Sequence, residues 1–218
     1  MKYFVLSNSD DLKEIGYYPQ TDYEKNYDPT TEKSHLQVTY DKFPDFIPEY
    51  KLELHKNAVP TNLIPGVGGH HGILVDQKLR KLLEGYKLPK HHFYKIDVFH
   101  NGQRLNYFWL HFVLPDIWEY IDMERSTVSI AHNVNPLNKI VLPMLHKEYV
   151  IKLIKHYLTK FEYHLFPEKI FFKENFIPYD IITLNELYHG NLISMDLRKS
   201  MQQQKISGIS TGLFKPIV

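Results

Sequence analysis

GILVDQKLRKLLEGYKLPKHHFYKIDVFHNGQRLNYFWLHFV, residues Gly72 to Val113, is the stretch whose patterning decides the fold. Ile73-Leu74-Val75 is a short apolar run that reads as a strand. Asp76 follows as a helix N-cap, because its carboxylate can accept the unpaired N–H groups of a first turn. Leu79, Leu82, Leu83 and Tyr86 then recur at helical spacing, Gly85 marks the stop and Pro89 closes the turn. Phe93 to His100 reads as a strand, Asn101-Gly102 as a tight hairpin turn, and Leu105 to Val113 as the returning strand. That second strand is apolar on both faces (Leu105, Tyr107 and Trp109 against Phe108, Leu110 and Phe112), which predicts a central strand covered on both sides.

Working outward, Lys2 to Leu6 predicts a first strand, and residues 16–34, rich in Tyr, Asp, Asn, Thr and Pro, read as loop. His35 to Tyr40 alternates like a strand, and Lys51 to His55 alternates like an edge strand. Asp116 to Met123 is ambiguous between helix and strand. Lys139 to Leu142 reads as a short strand bounded by Pro143. From Lys147 to Phe161, the residues Val150, Leu153, Ile154, Tyr157, Leu158 and Phe161 form one apolar stripe, which predicts a long amphipathic helix. Lys169 to Phe172 and Tyr179 to Leu184 read as further strands, and residues 195–204 as a last helix.

A gapless internal match links Leu74–Leu88 with Leu192–Ile206. Both copies read as strand end, Asp or Ser cap, amphipathic helix and turn, and both carry Leu-Arg-Lys (Leu79-Arg80-Lys81 and Leu197-Arg198-Lys199). Duplication and the chance recurrence of a common unit both explain five identities in fifteen positions; two copies fall short of a solenoid. The expected fold is α+β: one domain over residues 1–218 with a mixed, mainly antiparallel central sheet, flanking helices and a candidate duplicated strand–cap–helix unit. A sub-boundary, if any, falls near Pro143.

Composition removes several functions. The chain of 218 residues has no cysteine, which excludes a disulfide scaffold, a thiolate metal site, an iron–sulfur cluster and a cysteine nucleophile. The apolar start, Tyr3 to Leu6, is shorter than the roughly 7–15 residues of a secretory signal, and no run approaches the ~18 residues of a membrane span. The chain therefore reads as cytoplasmic, with no membrane contact. Net charge is +1, and arginine is scarce, so no nucleic-acid partner is expected. The balance is uneven, however: residues 7–50 hold ten acids against four lysines. The same segment holds Tyr17, Tyr18, Tyr23, Tyr27, Tyr40 and Tyr50. Tyr suits interfaces because it buries much area at small entropic loss. Tyr17, Tyr18, Asp22, Tyr23, Glu24, Tyr27 and Asp28 are thus the candidate contact residues for a basic protein partner.

The glycine-rich loop Pro65–Gly72 is the other candidate. Its glycines precede a strand rather than follow one, their spacing departs from Gly-x-Gly-x-x-Gly, and no Gly-Lys-Ser/Thr follows, so it is not a nucleotide-phosphate fingerprint. As an alternative site, Gly68, Gly69, His70 and His71 would serve an enzyme of unknown class. The thirteen histidines show no His-Glu-x-x-His, and no Gly-x-Ser-x-Gly is present. No metal site, cofactor or catalytic residue is expected.

The passage from Gly72-Ile73-Leu74-Val75-Asp76 through Leu79 to Phe93 resembles a family of immunity-protein-like bacterial domains linked to polymorphic toxin loci. Leu192-Ile193-Ser194 through Leu197 to Ser207-Gly208-Ile209 and Leu213-Phe214 is similar to the second unit such domains carry. Ile121-Asp122-Met123-Glu124-Arg125-Ser126 is similar to their Asp-x-x-x-Ser stretch. The likeness covers residues 72–126 and 179–214, and departs from the pattern at Pro89-Lys90, where the family has a turn glycine. It implies a non-enzymatic immunity factor that neutralises a bacterial toxin by direct binding, the partner being a basic toxin domain, and it brings no catalytic residues.

Overall fold

A computed structural model describes residues 2–69, 71–132, 138–158 and 163–218. In chain order its elements are β1 (Tyr3–Asn8), α1 (Leu12–Ile15), β2 (Thr21–Tyr23), β3 (Lys51–Leu54), β4 (Leu63–Ile64), β5 (Ile73–Asp76), α2 (Gln77–Leu83), β6 (Lys90–His100), β7 (Gln103–Val113), β8 (Thr127–His132), β9 (Lys139–Pro143), α3 (Lys147–Leu158), β10 (Tyr163–Lys169), β11 (Ile181–Ile182), β12 (Asn191–Ser194), α4 (Met195–Gln203) and β13 (Ile209–Phe214). The fold is α+β. The strands form three sheets, ordered β2-β3-β6-β7-β5-β4, β11-β12-β1-β13 and β10-β8-β9. β3 and β6 run parallel, and every other pairing of these strands, among the described residues, is antiparallel.

The hairpin β6–β7 forms where Asn101-Gly102 places it. Both turn residues adopt positive φ, 49° and 77°, the backbone a two-residue hairpin turn requires. β7 is central and buried on both faces, as its composition dictates, and Trp109 is fully buried. Elsewhere the tertiary context overrides local pattern. His35 to Tyr40 is not a strand: its backbone makes a 3-10 turn at His35–Gln37 that covers a sheet face. Lys51–Leu54 is an interior strand, because β2 adds outside it. Asp116 to Met123 resolves to a short 3-10 turn at Ile117–Glu119. Phe161, the far end of the expected helix stripe, lies outside the described residues. Pro143 is the last residue of β9, paired with Thr127.

The internal match is a structural duplication. Leu63 and Ile64 pair with Val75 and Leu74, and Ile181 and Ile182 pair with Ile193 and Leu192, in one register at the offset that aligns Leu74 with Leu192. Next to β5 runs β7, with Tyr107 opposite Asp76; next to β12 runs β1, with Tyr3 opposite Ser194. Tyr107 donates its hydroxyl to the Thr61 carbonyl at 2.5 Å, and Tyr3 donates to the Tyr179 carbonyl at 2.7 Å. The Arg80 guanidinium sits 4.4 Å over the Phe108 ring, and Arg198 sits 4.5 Å over Phe4. Asp76 accepts from the Leu79 N–H at 2.8 Å and Ser194 from the Leu197 N–H at 3.2 Å, capping α2 and α4 alike. The order β4-β5-β7-β6 thus matches β11-β12-β1-β13. The second copy takes its last strand from the start of the chain.

The copies hold each other reciprocally. Asn62, ahead of β4, donates to Asp76 at 2.7 Å and accepts from the Ser207 N–H beyond α4 at 2.8 Å. Asp180, ahead of β11, accepts from Ser194 at 2.6 Å and from the Lys87 N–H beyond α2 at 2.8 Å. Between the two sheets Phe4, Leu6, Val75, Leu79, Phe108, Leu110, Ile193, Leu197 and Met201 form one core that includes both helices. Burying each large apolar side chain there contributes about 1.5–3 kcal/mol. The outer faces are covered differently. Residues such as Tyr27, Val38 and Tyr50 cover the six-stranded sheet, while α3 and the β8–β9–β10 sheet cover the other.

Candidate functional site

Immediately before β5 and β12 stand His71-Gly72 and His189-Gly190, at equivalent positions of the two copies. Gly72 adopts φ +99°, and a Cβ there would lie 1.9 Å from the Leu110 carbonyl oxygen, so only glycine lets this turn pass against β7. The Trp109 indole N–H donates to the His71 carbonyl at 2.6 Å and fixes the turn. The two turns open onto one cleft of about 220 Å³. His71 and His189 line it together with Tyr40, Phe112, Leu114, Thr183, Asn185, Glu186 and Asn191. Asn185 and Glu186 come from a 3-10 turn at Asn185–Leu187, where Asn185 takes φ +48° and receives the Thr183 hydroxyl at 3.1 Å.

The polar groups of the cleft are largely uncommitted. Glu186 Oε2 accepts the Trp118 indole N–H at 3.1 Å, and no hydrogen bond among the described residues engages Oε1. No hydrogen bond among the described residues engages a ring nitrogen of His71 or His189. The Tyr40 ring meets His71 edge-on, with centroids 5.6 Å apart. Partial burial, then the nearby His189, pushes the His71 imidazole below its ordinary pKa, against the pull of Asp41. At the rim the Lys147 ammonium is bound by Asp116, and that hydrogen bond raises its pKa, with Glu186 and Tyr40 adding to the effect. Among the described residues no three His, Asp or Glu side chains stand together as a metal site.

Behind the cleft, His111 is 0% exposed, and its Nε2 lies 3.1 Å from the Thr39 carbonyl oxygen. Its Nδ1 is buried without a partner among the described residues. Phe43, Tyr94 and Trp109 pack around the ring, and desolvation pushes its pKa down to about 4.

The glycine loop is anchored rather than open. The Val67 carbonyl accepts from the Tyr50 hydroxyl at 2.9 Å and from Tyr23 at 3.3 Å, and the Val67 N–H donates back to the Tyr50 oxygen at 2.6 Å. A Cβ on Gly68 would stand 1.8 Å from the Tyr23 hydroxyl, whereas Gly69 faces open space. His70 lies outside the described residues. Of the three described residues among the four expected to form a site in this loop, His71 is the one that lines the cleft.

The acidic segment splits. Tyr23, Tyr27 and Tyr50 pack around the buried His35, which stacks on Tyr50 at 3.8 Å and lies 2.9 Å from the Tyr27 hydroxyl. Tyr27 is buried, and Tyr23 and Glu24 are half-buried, so these contribute little surface. Tyr17, Tyr18, Asp22 and Asp28 are exposed. Tyr17 (38% exposed) stacks on His55 at 3.4 Å, and Tyr18 is 68% exposed. Leu12 and Val59 also stand out at 58% and 48%. The Val59 N–H donates to the Ile15 carbonyl, which sets Val59 beside α1. A groove lined by Asp10, Ile15 and Tyr18 adjoins this patch. Eight of the ten acids between residues 7 and 50 are exposed.

Sequence reasoning missed most of the cleft. The available signal was the His-Gly pair shared by both copies; Tyr40, Phe112, Thr183 and Glu186 come from unrelated segments and carry none. No helix is long and apolar enough to cross a membrane among the described residues. No protein-family model matches the sequence, and a search of curated proteins finds no relative.

Proposed function

We propose that this chain is a non-enzymatic binding protein, an immunity factor that neutralises a basic bacterial toxin domain by direct binding. The observation that carries the reading is the exposed patch of Leu12, Tyr17, Tyr18 and Val59 on a segment whose acids Asp10, Asp11, Asp22 and Asp28 face solvent. An apolar, aromatic centre with like-signed charges around it is how an interface joins anchoring to electrostatic steering. The resemblance of residues 72–126 and 179–214 to immunity-type domains, and the presence of two copies of the strand–cap–helix unit, support the same reading. The test mixes the full chain with the toxin domain encoded beside its gene. A complex that survives gel filtration, weakens with salt and loses about tenfold in affinity on Tyr18→Ala is expected, since an aromatic anchor is worth about 1–2 kcal/mol or more. Absence of binding at micromolar concentration overturns it.

A further inference from the structure

We propose that the cleft between the two His-Gly turns is a receptor for a guanidinium group. For the source of that group, an arginine side chain of the toxin, the inference rests on the function proposed above; for the chemistry it does not.

Size comes first. The cleft holds about 220 Å³, several times the ~30 Å³ of one water, yet below the roughly 300–1,000 Å³ of pockets that enclose whole drug-sized ligands. It fits the end of a side chain or a small molecule.

Charge comes second. Lys147, the lysine that feels Glu186, is hydrogen-bonded to Asp116, and Glu186 is the carboxylate on the lining. An anion such as phosphate would face that carboxylate directly, whereas a cation is attracted to it.

Donor and acceptor geometry comes third. Glu186 Oε1 is unengaged among the described residues, and the ring nitrogens of His71 and His189 and the amide oxygen of Asn191 stand as further polar atoms around one space. A guanidinium carries five N–H donors in a plane and distributes them among several acceptors at once; an ammonium is a compact point charge. The apolar part of the lining also fits: Tyr40 and Phe112 present rings, and Leu114 a methyl surface, to the weakly hydrated faces of the guanidinium and to its stem. The same pairing already occurs in this protein, where Arg80 and Arg198 lie over Phe108 and Phe4.

The experiment titrates the full-length protein with N-acetyl-arginine amide and follows the imidazole C–H resonances of His71 and His189 by NMR. N-acetyl-citrulline amide, uncharged and of nearly the same shape, is the control. Saturable shifts with a dissociation constant of about 1–10 mM are expected for the arginine compound, the scale of one charge-assisted contact with stacking. Glu186→Gln and, independently, His189→Gln should weaken it at least about fivefold, each variant first checked for an unchanged melting curve. Equal shifts from the citrulline compound, or none from either, overturn the proposal. A second arm separates the sources. If the toxin complex weakens about tenfold on Glu186→Gln, the group comes from the partner. If the complex is indifferent while the arginine compound still binds, the group comes from a free guanidino compound. A chain that binds the arginine compound but no toxin refutes the proposed function and leaves the cleft assignment standing.

Discussion

His111 gives the most quantitative prediction. Its imidazole is fully buried, with one nitrogen near the Thr39 carbonyl oxygen and the other without a partner, and its pKa is pushed from 6.5 down to about 4. In the folded protein it is therefore neutral at pH 5, while in the unfolded chain it is mostly protonated. As pH falls through 6.5 toward 4, the unfolded state takes up a proton that the native state refuses, so stability drops. Between pH 7 and pH 5 this group alone removes about 2 kcal/mol. Carboxylates titrate too, so the informative quantity is a difference between two proteins. His111→Phe keeps a ring of similar volume and removes the titration. Urea unfolding at pH 7 and at pH 5 gives four free energies. The wild type should lose about 2 kcal/mol relative to the variant on acidification. Any constant effect of the substitution, such as loss of the contact to Thr39, cancels in that comparison. A gap that stays the same within about 0.5 kcal/mol, near the resolution of the extrapolation, refutes the reasoning.

Three further outcomes are expected. Gly72→Ala should lower stability by about 3 kcal/mol or more, because its φ is left-handed and its Cβ meets backbone, whereas Gly190→Ala meets only the Tyr188 side chain and should cost about 1 kcal/mol; paired thermal melts decide this. Asn62→Ala removes the side-chain hydrogen bond to Asp76 and those from the Ser207 N–H and hydroxyl that tie the copies together, and should cost about 2 kcal/mol, while Asp180→Ala and Ser194→Ala, which share a bond, should show a coupling of about 1 kcal/mol in a double-mutant cycle by urea unfolding. Tyr50→Phe takes away the hydroxyl that both donates to and accepts from Val67, so amide exchange at Val67 should accelerate with the fold intact.

Much of the fold was legible because its strongest signals are local. Asn101-Gly102 dictates a hairpin by its backbone preferences alone, and Asp76 and Ser194 are caps whose partners lie three residues on. The match of Leu74–Leu88 with Leu192–Ile206 pointed to a repeat, but its reality rests on register and on contacts such as Tyr3 with Tyr179, which no alignment of the two segments contains. His35 to Tyr40 misleads because the residues it buries, His35 among tyrosines and Val38 in the cluster with β3 and β6, lie three apart, the spacing of a 3-10 turn and not the period of two that its sequence suggests. Thr127–His132 and Tyr163–Lys169 are too polar and mixed to announce strands, and they become strands by pairing with each other. The cleft was nearly illegible for a related reason. A lining that borrows one or two residues from each of several segments leaves no spacing pattern, and only His71 carried a visible mark.

The position of β1 has a temporal consequence. The two copies make matching contacts, but they cannot mature together. The copy built from residues 61–113 pairs its own strands with neighbours close in sequence, so those pairings need nothing made after residue 113. The other needs β1 to lie between β12 and β13. At 5–20 residues per second, β1 waits roughly 10–40 s for those partners to be made. During that interval Phe4 and Leu6, buried in the end, are bare on a strand with two open edges, the kind of segment that pairs with the wrong neighbour. Two units equal in register and caps are thus unequal in time, and the earliest element of the chain is among the last to find its place.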